Sequence, residues 1–432
     1  MSAAQHAAAA AVFADEAAAQ AVEAALPRRL LNGTLFVTVL TSSIAFIEPS
    51  PHDALMFALL TVCVAARVRF DRKLIPLLLL LIVWLIGGFL ALIPVVDHDK
   101  TVQYAGTSVY LAVAAVLFAC LFSDGSLRRL LILRRAYILA ALIATTAGYL
   151  GFFHLVPRYQ MFLDNERVSA TFKDPNVYGP FLIYPLLLLL FDLLTRRARL
   201  LGLLVTAFLL GGLFLSFSRG AWMHFAVSAA VAVALLIAVT PDGRMRSRIL
   251  LFGLAAAGAI ALFVVAISSL SSVHGLFVER ASAIQPYDVG PGGRFWLQQL
   301  ALTQILERPN GMGPFEFSNV FGGQQHDVYM QGFLVYGWIG GAAYLALVIV
   351  TLGVGLRAAG LPSPWQLYLI AAYAAFVGEV CEGLIVDTDH WRHFFLLLGL
   401  IWGLTTATIN LHRRQALAAA ADDGETAFAV AS

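Results

Sequence analysis

The sequence predicts an all-α integral membrane protein with about twelve transmembrane helices and one long loop that contains short helices. The first observation is composition: 60% of the 432 residues are hydrophobic and 12% are charged, against roughly 25% charged residues in a soluble domain. The second is pattern, because the apolar residues form repeated runs of about 20, the length that crosses a bilayer as a helix. The weak alternation of an outer-membrane barrel is absent.

Cysteine usage and net charge exclude several classes of protein. Cys63, Cys120 and Cys381 all fall in apolar runs, and no CxxC pair occurs, so we expect neither a disulfide framework nor a thiolate metal site. The net charge of +2 comes from basic residues spread over short loops. This pattern gives no indication of nucleic acid as a partner, whereas membrane lipids are expected partners.

The chain is predicted to begin with a cytoplasmic segment over 1–29, whose alanine-rich start lacks the basic end and apolar core of a signal peptide. Nine spans then occupy 30–270, a large loop covers 271–325, three spans occupy 326–411, and a low-complexity cytoplasmic tail, predicted to be mobile, covers 412–432. The predicted spans are 30–48, 53–68, 74–93, 103–122, 131–153, 177–194, 199–216, 219–239, 248–270, 326–356, 364–386 and 391–411.

The basic residues of the loops predict the orientation of these spans. With a cytoplasmic N-terminus, 19 of the 28 Lys and Arg residues fall on the cytoplasmic side, as the positive-inside rule requires. Both termini are therefore predicted to be cytoplasmic and the loop at 271–325 to lie outside. Several of the outer basic residues stand beside helix ends, where lipid headgroups lie.

The outer loop carries the clearest local signals. A glycine-rich turn at Gly290, Gly292 and Gly293 leads into Arg294, which is predicted to open a short amphipathic helix that Pro309 ends. The apolar face of this helix is suited to packing on the bundle or to lying in the membrane interface. The sequence leaves both arrangements open.

Two arginines are candidates for holding phosphate groups. Arg219 opens a predicted helix after a very tight connection, and Arg294 opens the loop helix. A guanidinium presents a fixed fork of donors to phosphate oxygens, and a helix N-terminus favours an anion. The structural alternatives are an interfacial Arg219 that reaches lipid headgroups and a solvated Arg294.

Two further groups of outer residues are candidates for binding substrate. Arg167 and Lys173 lie in the loop before the sixth span, where they suit a phosphate or a sugar. Asp389, His390 and Arg392 belong to a polar cluster, with Asp387 and His393, that caps the outer ends of the last two spans. The spacing of this second group matches no strong metal-ligand motif, so we expect no metal and favour orientation of the site or contact with an acceptor headgroup.

His326 is the candidate general base. It stands where the tenth span begins, and an unperturbed imidazole titrates near pH 6.5, so it can accept a proton from a hydroxyl at neutral pH. The alternative is a hydrogen-bonded structural histidine. Asp327 joins the substrate-binding candidates, and whether it orients His326 stays open, since adjacent helical residues point about 100° apart.

Three arginines and one histidine on one face of a membrane protein predict a reaction on a phosphate-bearing lipid. Diphosphate is a good leaving group that needs no general acid. Such a reaction is helped by positive charge where the leaving group accumulates negative charge, and by a base for the incoming hydroxyl.

Four motifs resemble the O-antigen ligase and polymerase superfamily: RVSATFKDPNVYG at 167–179, FSRGAW at 217–222, GRFWLQQLALTQILERPNGMGPF at 293–315 and HDVYMQGFLVYGWIGG at 326–341. The four occur in the family's order. The resemblance implies a polytopic glycosyltransferase of the GT-C type in the bacterial inner membrane, with its active site on the periplasmic face and no cofactor or metal.

The resemblance also implies substrates and roles. The donor is O-antigen linked to undecaprenyl diphosphate, and the acceptor of a ligase is a sugar hydroxyl of lipid A-core. His326 would activate that hydroxyl, and Arg219 and Arg294 would hold the donor diphosphate, with Arg167 as a further candidate. The family often has Asn after this histidine, whereas this chain has Asp327, which bears on the class of acceptor.

The alternatives within the superfamily are an O-antigen polymerase and a protein O-oligosaccharyltransferase. A single long loop late in the chain favours the ligase. A transporter or flippase of lipid-linked glycan is an alternative of a different class. It predicts internal repeats and charges near the bilayer midplane, which the sequence does not contain, although Pro180 and Pro185 interrupt the sixth span.

Overall fold

The computed structural model describes residues 25–47, 49–95, 98–195, 200–268, 275 and 289–431. It is about 78% helical, and its described part contains eight helices that are long and apolar enough to cross a membrane. Two further apolar helices, Pro51–Ala65 and Leu200–Leu215, are shorter. The expectation of an all-α membrane protein is therefore confirmed, whereas the count of twelve spans stays a prediction.

Fifteen α-helices, two short strands and two single 3₁₀ turns (Arg72–Leu74 and Tyr159–Phe162) make up the described chain. The helices and strands are α1 (Ala25–Thr41), α2 (Pro51–Ala65), α3 (Ile75–Ala91), α4 (His98–Phe122), α5 (Leu127–Phe152), β1 (Leu163–Asp164), β2 (Arg167–Val168), α6 (Pro175–Phe181), α7 (Ile183–Thr195), α8 (Leu200–Leu215), α9 (Arg219–Val239), α10 (Gly243–Ser268), α11 (Arg294–Glu307), α12 (Glu316–Phe321), α13 (Val328–Ala359), α14 (Gln366–Glu382) and α15 (Arg392–Ala431).

One end of the bundle, which we call the loop end, is where α9, α13 and α15 begin and α14 ends. Side chains cap several helices there. Ser218 accepts a hydrogen bond from the Ala221 N–H, Asp174 accepts one from the Asn176 N–H, and Asp327 accepts two. Such caps satisfy the first N–H groups of a helix, so the chain can turn sharply at the loop end without leaving buried donors unpaired.

Glycines allow the membrane helices to approach closely. A Cβ placed on Gly87 of α3 would lie 2.4 Å from the Gly340 backbone of α13, and one placed on Gly399 of α15 would lie 2.4 Å from the Ala115 carbonyl of α4. Small residues at helix contacts are the usual basis of packing in membranes, where water does not drive helices together.

α13 is a broken helix that holds the outer loop. Gly337 has φ 65° and ψ −174°, a conformation open only to glycine. The break frees backbone groups for the loop, because the Met312 N–H donates to the Leu334 carbonyl at 2.7 Å and the Trp338 N–H donates to the Pro309 carbonyl at 2.8 Å. The segment that follows α11 is thereby fixed to the bundle.

Several predicted boundaries differ from the structure. The predicted span 177–194 is divided into α6 and α7, with Pro180 inside α6, because proline removes a helical hydrogen bond. The predicted tail after 411 continues α15 to Ala431, consistent with the high helix propensity of its alanines. The hairpin of β1 and β2 was not predicted. The start of the chain and most of the loop at 271–288 lie outside the described residues.

Candidate active site at the loop end

Arg167 joins the loop before α6 to the turn before α9. Its Nε donates to the Ser216 carbonyl at 3.1 Å, and its guanidinium also donates to Asn176 Oδ1 at 2.9 Å. The Ser218 hydroxyl donates to the same Asn176 oxygen at 2.8 Å. These contacts place Arg167 beside the start of α9, where two of its bonds hold the two segments together.

Arg219 is the first residue of α9, as the sequence predicted, and it is half-buried. The preceding connection from α8 has only the residues 216–218. Gly220 follows, and a Cβ there would lie 2.7 Å from Glu382 Oε1 on α14. Arg219 therefore stands at a helix N-terminus whose backbone packs against a buried carboxyl group.

Arg294 is the first residue of α11, also as predicted, and it is half-buried. Gln298 lies one helical turn further on the same face, and its side-chain amide donates to the Gln325 carbonyl at 3.3 Å. Leu297 packs against Gly323, where a Cβ would lie 2.8 Å from Leu297 Cδ1. α11 therefore carries Arg294 to within about one turn of the segment that leads into His326.

His326 stands in the turn before α13 with a half-exposed side chain. Its Nδ1 lies 3.6 Å from Asp387 Oδ2, and the Asp387 carboxyl also accepts a hydrogen bond from the Asp327 backbone N–H. Burial raises the pKa of Asp387, and the hydrogen bond from His326 opposes that shift. The sequence analysis noted Asp387 only as part of a polar cluster, so this partner of His326 was missed.

Asp327 serves as the N-cap of α13. Its Oδ1 accepts hydrogen bonds from the backbone N–H groups of Tyr329 and Met330, both at 2.9 Å. Burial raises the pKa of Asp327, while these two hydrogen bonds oppose the shift. The aspartate that lies beside the imidazole of His326 is therefore Asp387, whereas Asp327 caps α13.

Asp174 adds a third carboxyl group near His326. Burial raises the pKa of Asp174, and the hydrogen bond from the Asn176 N–H and the positive charges of Arg167 and His326 oppose the shift. The loop before α6 therefore brings the carboxyl group of Asp174 close enough to His326 for their charges to interact.

Asp389 and His390 belong to a separate network with residues of α4 and α13. Asp389 Oδ2 accepts hydrogen bonds from the hydroxyls of Tyr104 at 2.7 Å and Tyr336 at 3.3 Å. His390 Nε2 lies 3.0 Å from the Ser108 hydroxyl. Burial lowers the pKa of His390, and the Asp389 charge opposes the shift. These two predicted residues thus fix the loop after α14 to its neighbours.

A cavity of about 730 Å³ opens beside this network, within the usual range for ligand sites. Lys100, Lys173, His390 and Arg392 contribute its basic lining, and Arg392 also pairs with Asp53 of α2 at 2.9 Å. The deeper wall is largely aromatic and aliphatic and is formed by Leu111, Phe118, Tyr137, Phe181 and Leu396. Lys100 and Phe118 both line it from α4, so it extends about 27 Å along that helix.

The predicted residues thus fall into two adjoining groups. His326 and Asp327 share one with Asp387 and Asp174, while Lys173, His390 and Arg392 border the cavity. Arg219 and Arg294 approach the first group through their helices, and neither is in the described lining of the cavity. Within the described residues, no group of three His, Cys, Asp or Glu side chains is arranged to hold a metal ion.

Comparison of the chain with protein-family models and with curated proteins found no match. Membership of the O-antigen ligase superfamily therefore stays a prediction that rests on the four motifs.

Proposed function

We propose that this protein is an O-antigen ligase with a twelve-span GT-C fold in the bacterial inner membrane. It transfers O-antigen from undecaprenyl diphosphate to a sugar hydroxyl of lipid A-core on the periplasmic face. The observation that carries the proposal is a half-exposed imidazole 3.6 Å from a largely buried carboxyl group, beside a deep cavity with basic residues in its lining. Of these residues, the four family-like motifs contain His326 and Lys173.

In the proposed reaction His326 takes the proton of the acceptor hydroxyl as the oxygen attacks the anomeric carbon of the donor sugar. The bond from that carbon to the diphosphate oxygen breaks, and the diphosphate leaves with the electron pair. Arg219 and Arg294 stabilise the charge that develops on the leaving group. Asp387 holds the imidazole and stabilises the imidazolium that forms, as a triad carboxylate does.

The cavity supports a lipid substrate. The aromatic and aliphatic part of its wall suits a hydrocarbon chain, and the basic residues in its lining suit a phosphate-bearing headgroup. We assign the donor chain to this cavity, with Lys173 and Arg392 at the level of the anionic headgroup. Arg167 acts mainly by holding the loop that carries Lys173 against the start of α9.

The decisive experiment is transfer by purified protein with EDTA present. Undecaprenyl-diphosphate-linked glycan is offered in separate reactions with lipid A-core, with a second lipid-linked glycan, or with an acceptor protein. We expect product on lipid A-core alone. Product on the second glycan would make the protein a polymerase, and product on the acceptor protein would make it a protein glycosyltransferase. Donor binding without any product would contradict an enzyme and favour transport.

Matched variants assign the residues in the same assay. His326→Ala is compared with His412→Ala, at a half-buried histidine whose Nε2 lies 3.0 Å from the Pro362 carbonyl oxygen. Arg219→Lys and Arg294→Lys replace a donor fork by a point charge, and we expect each to lower kcat by about 10²-fold or more, the usual cost of removing one transition-state donor. Normal transfer by all three site variants would overturn the assignment.

A further inference from the structure

Four ionisable side chains to which the proposed transfer assigns no role meet inside the bundle, between the start of α9 and the cavity. His224 comes from α9, Glu379 and Glu382 from α14, and His393 from α15. The side chains of both glutamates are 0% exposed, and those of His224 and His393 are 1% and 5% exposed. Ionisable groups within membrane helices are rare and are functional until shown otherwise.

His224 and Glu382 share a proton. His224 Nε2 lies 2.9 Å from the Ala375 carbonyl oxygen, which can only accept, so Nε2 carries a hydrogen. Its Nδ1 lies 2.7 Å from Glu382 Oε2. A contact this short between a ring nitrogen and a carboxyl oxygen requires one proton between them, either on the acid or on the ring.

Glu379 holds a proton for a different reason. His393 Nε2 lies 3.3 Å from Glu379 Oε1, but no hydrogen bond in the described structure reaches either Glu379 oxygen or this nitrogen. A carboxylate charge without hydrogen bonds is not tolerated in an apolar interior, whereas a neutral acid is. Glu379 is therefore the protonated acid, and His393 is neutral.

Several ionisable groups of the described residues face the cluster. The charge of Asp174 acts on Glu382, the charge of Glu382 acts on Glu379, and the charge of Glu379 acts on the phenols of Tyr137, Tyr329 and Tyr344. Arg219 lies one residue before Gly220, where the Glu382 carboxyl packs. With two carboxyl groups and two imidazoles, the cluster is neutral only when it holds two protons.

We propose that His224, Glu379, Glu382 and His393 form an intramembrane proton-binding site that holds two protons at neutral pH. One proton is shared by His224 and Glu382, and the other is on Glu379. The site extends from the cavity, which His393 lines, to the first turn of α9, against which Glu382 packs. Proton binding goes beyond the proposed transfer function and does not depend on it.

The test is infrared spectroscopy of the purified, membrane-reconstituted protein at neutral pH. A protonated carboxylic acid has a carbonyl band that is distinct from a carboxylate and shifts in D₂O. We expect Glu379→Gln to lose part of this band. Glu382→Gln should lose a second part where the shared proton lies on the acid, or a carboxylate band where it lies on the ring of His224. Glu307→Gln, the same change on an exposed residue of α11, is the matched control and should leave the band unchanged.

A measurement on the unaltered protein covers the case in which a Gln variant does not fold. Labelling all glutamate carboxyl groups with ¹³C shifts the band of a protonated glutamate and leaves that of a protonated aspartate in place. We expect a shifted band. Its absence, or identical spectra for unaltered protein and both Gln variants, would overturn the proton-binding site. Because no transfer is measured, either result is independent of the proposed function.

Discussion

His326, on which the proposed chemistry depends, has an unusual backbone conformation. Its φ is 49°, a left-handed conformation that costs a non-glycine residue roughly 1–2 kcal/mol. The flanking residues Gln325 and Asp327 are buried, and Asp327 caps α13. The turn therefore fixes both neighbours of the half-exposed imidazole, and backbone strain of this kind is concentrated at functional sites.

Asp387→Asn tests the partner of His326. The neutral amide keeps the shape but cannot stabilise an imidazolium, so we expect kcat to fall by about 10²-fold or more with little change in KM. Burial raises the pKa of Asp387, so the unaltered enzyme should lose activity on acidification at a pH above that of an ordinary aspartate. The Asn variant should lack this step in its pH profile.

Stability separates this role from a structural one. A carboxyl group whose pKa is raised by folding binds protons more tightly in the folded state, so it lowers stability as pH rises through that range. Asp387→Asn should therefore leave the apparent Tm at neutral pH unchanged or higher. Asp124→Asn, at an exposed carboxylate that pairs with Arg129, is the control. A lower Tm with unchanged kcat would assign Asp387 to the fold instead.

At the scale of single residues, the sequence predicts which side chains begin the helices of the site but not which side chains contact each other. Arg219 and Arg294 begin their helices as predicted, since the tight connection and the glycine-rich turn are local signals. Asp387 lies 61 residues after His326, and only the return of α14 to the loop end brings the two together. A contact between residues so far apart in sequence has no local signature, so Asp327, the adjacent aspartate, was considered instead.

At the scale of elements, the close approach of two glycines fixes the segment after α11 to α13. Gly311 and Gly337 both have positive φ, and a Cβ on either one would lie 2.8 Å from the backbone around the other. The break at Gly337 therefore determines where the loop residues 309–313 can sit. Because the same loop continues from α11, the position of Arg294 depends on a glycine inside a membrane helix.

Gly337→Ala tests this dependence. Alanine is strained at φ 65° and ψ −174°, and its Cβ would clash with the Asn310 backbone. We expect a loss of roughly 1–3 kcal/mol for the strain alone, seen as a lower apparent Tm, together with reduced transfer because α11 shifts.

The matched control is Gly353→Ala in the same helix. Gly353 has regular helical geometry and open space around its Cβ position, so alanine should be neutral or stabilise by up to about 1 kcal/mol. Equal effects of the two substitutions would show that the break at Gly337 is not what positions the loop.

Helix starts, connections and the interruption of the sixth predicted span by prolines follow from local signals, whereas the interruption at Gly337 does not. The helix from Arg294 and the connection before Arg219 follow from glycine, proline and capping residues. The interruption at Gly337 lies within an apolar run that reads as one continuous span. Its cause is tertiary, since the freed Leu334 carbonyl accepts from the loop, and a run of apolar residues contains no information about that partner.

For the whole molecule, the distribution of basic residues predicts which end faces which side of the membrane. Asn165 lies in the exposed turn between β1 and β2 at the loop end, and Asp242 is exposed after α9 at the opposite end. The positive-inside rule places the loop end outside the cytoplasm.

Labelling of intact cells tests the orientation. Asn165→Cys and Asp242→Cys are introduced separately into a protein whose native Cys63, Cys120 and Cys381 are replaced. A membrane-impermeant maleimide is then added to spheroplasts, in which the outer membrane no longer excludes it. We expect Asn165→Cys to label in intact spheroplasts and Asp242→Cys to label only after lysis. The reverse pattern would place His326 in the cytoplasm and exclude a periplasmic ligase.

The class of fold was predictable because hydrophobic length is a strong signal, and a run of 20 apolar residues has few soluble alternatives. The arrangement of the helices around the cavity was harder to predict from the sequence. The cavity is formed by residues from α2, α4, α5, α6 and α15 and from the loops beside them, and no single stretch of sequence encodes a space between helices.

The depth of that cavity has a consequence for how the protein holds together. Under the proposed function, the chain of the donor lipid would fill a space where neighbouring helices would otherwise pack on each other, and it would bind only to the folded protein. A ligand at a hundred times its Kd stabilises the folded state by about 2.7 kcal/mol, so the proposed substrate would also act as a folding cofactor. Each turnover would then remove part of the core, and the next donor lipid would restore it.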